Sequence, residues 1–170
     1  MIRPATPADV PAIVDMIRSL AEYEKSLDKV ETTAEMLHEA LFGDSPAVFC
    51  HIAADGEDVA GFALWFLTYS TWLGRHGIHL EDLFVHPDHR GRGYGRELLA
   101  ELARICVERG YGRLEWAVLD WNTPAIEFYH SLGAGPLDEW IPYRITGPAL
   151  ERLAATAGSA ESTEGTRSTR

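Results

Sequence analysis

The segment "HRGRGYGRE" alternates Gly91, Gly93 and Gly95 with Arg90, Arg92, Tyr94 and Arg96, between a bulky apolar run and a run patterned like a helix. Alternating glycines present backbone N–H groups that no side chain shields, and a following helix adds partial positive charge at its N-terminus. The segment therefore has the chemistry of a phosphate cradle. A merely tight turn would need fewer glycines and no flanking arginines. Two nucleotide loops fit poorly. A Walker loop requires Lys and then Ser or Thr where Arg96 and Glu97 stand, and a dinucleotide fingerprint requires G-x-G-x-x-G where this chain reads G-x-G-x-G. Just upstream, Glu81 and Asp82 lie side by side in "HLEDLFV". A leucine-flanked strand is a costly place for idle charges, so the pair is a candidate for proton transfer or for holding a cation. Successive strand residues face opposite sides, so both acids serve one cleft only if a bulge re-aims one of them.

Other reactive residue types point nowhere comparable. His76 and His79 are spaced to opposite faces of a strand, His86 and His89 bracket Pro87 in a turn, and no third ligand has suitable spacing, so no metal is expected. Cys50 and Cys106 sit in apolar runs without C-x-x-C spacing and read as reduced core thiols.

The elements that must position these residues are mostly legible. Thr6 caps a helix with Pro7 at its first position, followed by Val10, Ile13, Val14, Ile17, Leu20 and Ala21 at helical spacing. A shorter helix is expected over Ala34 to Phe42, stopped by Gly43. "AVFCHIAA" and "EDVAGFALWFLTY" flank the hairpin signal Asp55-Gly56, and "GIHLEDLFV" is a third strand. After the glycines, Leu98, Leu99, Leu102, Ala103, Ile105 and Cys106 make an apolar helix face closed by Gly110. "RLEWAVL" reads as a buried strand, Asn122 opens a helix ending near Leu132 and Gly133, and "DEWIPYRIT" reads as a final strand. This order predicts an α/β fold, a mixed and mainly antiparallel sheet with helices on both faces.

At 170 residues and 46% hydrophobic content the chain suits one globular domain, expected over residues 1–153, with a disordered polar tail over 154–170. No apolar run reaches the length of a membrane span, and "MIRPATPADV" lacks the order of a signal peptide, so a cytoplasmic protein without a membrane partner is expected. The 26 acidic against 15 basic residues argue against nucleic acid and lean towards a small cationic partner.

Taken together, "IRPAT", "LAEYE", "LEDLFV", "RGRGYG" and "WNTPAIEFYHSLGA" resemble the GCN5-related N-acetyltransferase (GNAT) superfamily, and within it the spermidine/spermine (diamine) N-acetyltransferase branch. Arg90, Gly93 and Gly95 match that family's pyrophosphate loop. The resemblance implies acetyl-CoA as co-substrate, bound by the loop from Arg90 to Arg96 and by backbone amides near Phe84 and Val85, with Asn122 as a further coenzyme contact. It implies Glu81 as general base acting through water and Tyr129 as the acid that protonates the departing thiolate. Tyr23, Glu24, Asp82 and Trp140 would line a groove for a polyamine, a diamine or a lysine-like amino acid, in a homodimer. Lys25 after Glu24, and the histidines and arginine in "TWLGRHGIHL", depart from the polyamine pattern, so that shorter amines or lysine-like amino acids compete with long polyamines as acceptors. A non-catalytic acyl-CoA-binding regulatory module and a protein N-acetyltransferase are the alternatives. Glu81, Asp82 and Tyr129 together speak against the first, and the acidic groove against the second.

Overall fold

Pairing with a distant segment makes the first element. Ile2–Pro4 (β1) is a strand only because it lies antiparallel to β2 (Val48–Asp55), with Ile2 opposite Ala53 and Pro4 opposite His51. The computed structural model describes residues 1–158. β1 is clamped to the start of the first helix by Arg3, whose guanidinium donates to both Asp9 carboxylate oxygens at 2.8 and 2.9 Å. Asp9 also accepts from the N–H and hydroxyl of Thr6, so the expected cap at Thr6 is made by Asp9 reaching back to it. These donors, Arg3 foremost, hold the Asp9 carboxyl down at about 2. One 3₁₀ turn, Pro7–Asp9, then leads into α1 (Val10–Tyr23). α2 (Ala34–Phe42) has the predicted bounds, with Thr33 Oγ1 accepting from Met36 N–H at its start and Gly43 at its end.

β3 (Asp58–Ser70) and β4 (Arg75–Val85) extend the antiparallel ladder from β2, and β5 (Leu114–Glu115) joins β4 in parallel. The five strands run in chain order across the sheet. Strand alternation divides the apolar residues between two layers. Cys50, Ile52, Phe62, Leu64 and Phe84 form one core with Val10, Ile13 and Val14 of α1 and Leu37 and Leu41 of α2. His51, Ala63 and Trp65 face the other way, where α3 (Tyr94–Arg109) packs and buries Leu98, Leu99 and Leu102. Gly110, at φ +67°, ends α3 as expected. The mixed, mainly antiparallel sheet with helices on both faces is therefore the architecture observed.

Three expectations need correction. "RLEWAVL" forms only the two-residue β5, because pairing with β4 stops at His79 opposite Glu115, and Val118 and Leu119 are exposed. "DEWIPYRIT" forms no strand: among the described residues nothing pairs with it, its residues are exposed, and Pro142 has no N–H to give a ladder. The polar tail expected from Ala154 overlaps α5 (Gly147–Ala155) and the turn Thr156–Gly158, and its remainder, 159–170, lies outside the described residues.

The chain divides into a compact unit spanning Met1–Thr123 and a second unit that begins at Pro124. α4 (Thr123–Ser131), which lies in the second unit from its second residue on, closes on Gly133, at φ +86°, with Ala134 N–H returning to the Tyr129 carbonyl.

Candidate active site

The acidic pair sits on a β-bulge. Leu80 lies opposite Trp65 and Asp82 opposite Leu64, which leaves Glu81 as the extra residue between them. Because side chains alternate strictly along a strand, one inserted residue exchanges the two faces. Ile78 and Leu80 therefore share the α3 side with Trp65, while Asp82 and Phe84 share the α1 side with Leu64 and Phe62. This places Asp82 near the end of α1. Burial, and then the charges of Glu81 and Glu24, push its carboxyl up to about 6. Burial also raises Glu24. Glu81 is exposed, with Oε2 at 3.6 Å from Nε2 of His79, whose ring stacks on Phe66 at 4.9 Å between centroids.

Beyond the bulge, β4 has no β5 beside it. Their parallel pairing covers only Ile78 with Leu114 and His79 with Glu115. His86 N–H donates to Ala60 O, so the ladder turns the amides of His86 and Phe84 towards β3 and those of Val85 towards the outer edge. Of the two residues expected to offer amides, Val85 alone does so in this register. Its carbonyl accepts from Arg90 Nε at 3.0 Å, and the Arg90 guanidinium lies over the Phe84 ring at 5.7 Å.

The glycines open α3 as their spacing suggested. Gly91 and Gly93 take φ +76° and +88°, where an L side chain is strained, and Gly93 caps the helix. The first ladder bond is Glu97 N–H to Gly93 O, so the N–H groups of Tyr94, Gly95 and Arg96 precede it at the positive end of the helix dipole. Sequence reasoning missed Asp55. The β2–β3 hairpin overhangs the end of β4, and there the Asp55 carboxylate accepts from Arg92 at 2.6 Å, sits 3.1 Å from His89 Nδ1 and engages Tyr94. Its only sequence signal was that of a hairpin turn.

At the C-terminus of α1, the Tyr23 hydroxyl donates to Asn122 Oδ1 at 3.2 Å, joining a residue expected in the acceptor groove to one expected on the coenzyme. Trp121 packs against Tyr23 at 5.9 Å, and Lys25 Nζ lies 5.0 Å from the Trp121 ring centroid. Trp121 carried no signal beyond being an aromatic before a helix start. Tyr23, Glu24, Asn122, Glu81, Asp82, Val85 and the loop all belong to the first unit. Tyr129 and Trp140 belong to the second, where Tyr129 is half-buried on α4 with its ring 5.5 Å from Phe128, and Trp140 is 65% exposed.

A mixed sheet that parts beside a bulged acidic strand, followed by a glycine loop and a helix, defines an acyltransferase architecture. The chain belongs to the acetyltransferase (GNAT) family, whose model matches residues 13–134. It is 41% identical to thialysine N-epsilon-acetyltransferase of Bos taurus, over 91% of this chain and 96% of that one. It is 32% identical to L-ornithine N5-acetyltransferase NATA1 of Arabidopsis thaliana, over 89% of this chain and 86% of that one. Among solved structures, an integron cassette protein from the mobile metagenome of V. cholerae superposes with a TM-score of 0.76 at 28% identity, covering 91% of this chain and 96% of that one.

Proposed function

We propose that residues 1–153 form an acetyl-CoA-dependent N-acetyltransferase domain that moves an acetyl group directly to a primary amine of a small cationic acceptor, namely a lysine-like amino acid, a diamine or a polyamine. The observation that carries this reading is the bulge. It sets Glu81 and Asp82 on the same strand as the outward Val85 amide, one turn before the glycine loop. Val85 and the amides from Gly91 to Arg96 bind the coenzyme, with Arg90, Arg92, Arg96 and Asn122 beside them. Asp82, Glu24, Tyr23 and Trp140 hold the cationic acceptor.

Glu81 takes a proton from the ammonium through water. The freed nitrogen attacks the thioester carbon, the C–N bond forms as the C–S bond breaks, the nitrogen sheds its extra proton to water, and the Tyr129 hydroxyl gives a proton to the thiolate and regains one from that water. Direct transfer is supported by the thiols. Burial pushes Cys50 up to about 12 and also raises Cys106, so neither is a ready nucleophile. Relatives named for thialysine and ornithine support an amino acid with a terminal amine. No metal enters this reading. It includes a cytoplasmic homodimer, as the resemblance implies, without a nucleic-acid partner, for which the net charge of −11 speaks, and without a membrane partner; among the described residues no helix is long and apolar enough to cross a membrane.

The test is an amine panel with acetyl-CoA, reading free thiol release and identifying the product by mass spectrometry. Lysine-like amino acids, diamines or polyamines should be the fastest acceptors, acetylated on a terminal amine. Faster transfer to neutral or carboxylate-rich acceptors overturns the acceptor class. Coenzyme binding without transfer to any amine favours a regulatory module, and transfer to peptides alone favours a protein N-acetyltransferase.

A further inference from the structure

α1 ends in an unusual way. Ser26 N–H returns to the Ala21 carbonyl at 2.8 Å and Lys25 N–H to the Glu22 carbonyl at 3.0 Å, a helix closure that needs a left-handed residue at position 25. Glycine normally fills that position. Here Lys25 does, at φ +57°, the one non-glycine residue with positive φ among the described residues. A left-handed conformation strains an L-residue, by more than an exposed cation–π contact returns. A glycine would close the turn without that strain, so helix termination does not account for the lysine.

The lysine does two things. Its ammonium lies over Trp121 beside Tyr23, so the aromatic face that would attract the far ammonium of a diamine is already taken by the chain's own cation. It also follows Glu24 directly in the chain, and the charge of Glu24 acts on Asp82.

We propose that Lys25 determines acceptor specificity: its ammonium, braced on Trp121, receives the α-carboxylate of an amino-acid acceptor while Glu24 and Asp82 receive ammonium groups. A lysine-like amino acid is then taken in preference to the diamine of the same length. The inference rests on the amine-acetyltransferase reading above and adds the residue that chooses within its acceptor class.

Lysine and cadaverine form the matched pair, since they differ only by the carboxylate. The readout is the ratio of their kcat/KM values with acetyl-CoA, for the wild type and for Lys25→Met, Lys25→Glu, Lys25→Arg and Lys25→Gly. The last variant relieves the turn and keeps the test independent of folding. The wild type and Lys25→Arg should favour lysine. Lys25→Met and Lys25→Gly should lower the ratio by about tenfold or more, the worth of a charged hydrogen bond, mainly through the KM for lysine, and Lys25→Glu should lower it furthest. A ratio that stays within about twofold across all five proteins, far below that worth, overturns the inference and leaves the proposed function standing. If the wild type acetylates neither amine, the reading beneath it falls as well.

Discussion

Asp82 sets the pH behaviour of the site. Its carboxyl is raised to about 6 by burial, then by Glu81 and Glu24, and only its ionised form attracts an ammonium. Amine capture should therefore rise as pH increases through about 6. The sign for stability is opposite. Between the ordinary carboxylate value of about 4 and the raised one, the folded chain binds the proton more tightly than the unfolded chain, so this group withdraws stability as pH rises through that window. An NMR titration of the Asp82 carboxyl carbon should give a midpoint near 6, lowered in Glu81→Gln because a neighbouring negative charge is gone. An ordinary midpoint unmoved by that substitution would refute the coupling. Tyr129 makes a separate test. Tyr129→Phe keeps the ring and removes only the proton donor, so thermal unfolding and acetyl-CoA affinity should be retained while turnover falls by roughly 10² to 10⁴. Turnover within about threefold of wild type would make Tyr129 a packing residue.

At the scale of elements, the site is made where β4 bulges and β5 leaves it, with the β2–β3 hairpin overhanging the glycine loop. Asp55 on that hairpin puts a carboxylate against Arg92, where phosphate is proposed to arrive. Asp55→Asn keeps an acceptor for its neighbours and removes the charge. Acetyl-CoA should then bind about threefold more tightly, with a steeper loss of affinity on adding salt, because the loop presents more positive charge to the anion. Weaker binding by titration calorimetry would mean instead that Asp55 organises the loop. The parts of this arrangement differed in how readable they were. α2, α3 and the hairpin at Asp55-Gly56 carry local signals, apolar spacing bounded by a cap or a glycine, and they appear where expected. β1 has no local signal, because its three residues become a strand only through Ile52 and Ala53 far along the chain. "RLEWAVL" has the apolar content of a buried strand, but its length is set by the bulge on its neighbour. α5 did carry a start signal in Thr146, Gly147 and Pro148, and the small polar residues that follow it masked the helix. The glycine loop and the acidic pair were legible by residue type. Lys25 on Trp121, and Asp55 on Arg92, were not, because only the topology brings those residues together.

At the scale of the molecule, a net charge of −11 makes the surroundings attractive to cations at long range, while the arginine-flanked loop concentrates positive charge where an anionic coenzyme is proposed to bind. The two co-substrates thus meet opposite local fields, which suits a reaction in which both are bound at once and the acetyl group passes directly between them. Direct transfer is tested by initial rates measured over a grid of acetyl-CoA and lysine concentrations. The double-reciprocal lines should intersect, the product should be N-acetylated amino acid, and no acetyl group should remain on the protein when the amine is withheld. Parallel lines with an acetylated protein intermediate, or release of free thiol without any acetylated amine, would contradict it.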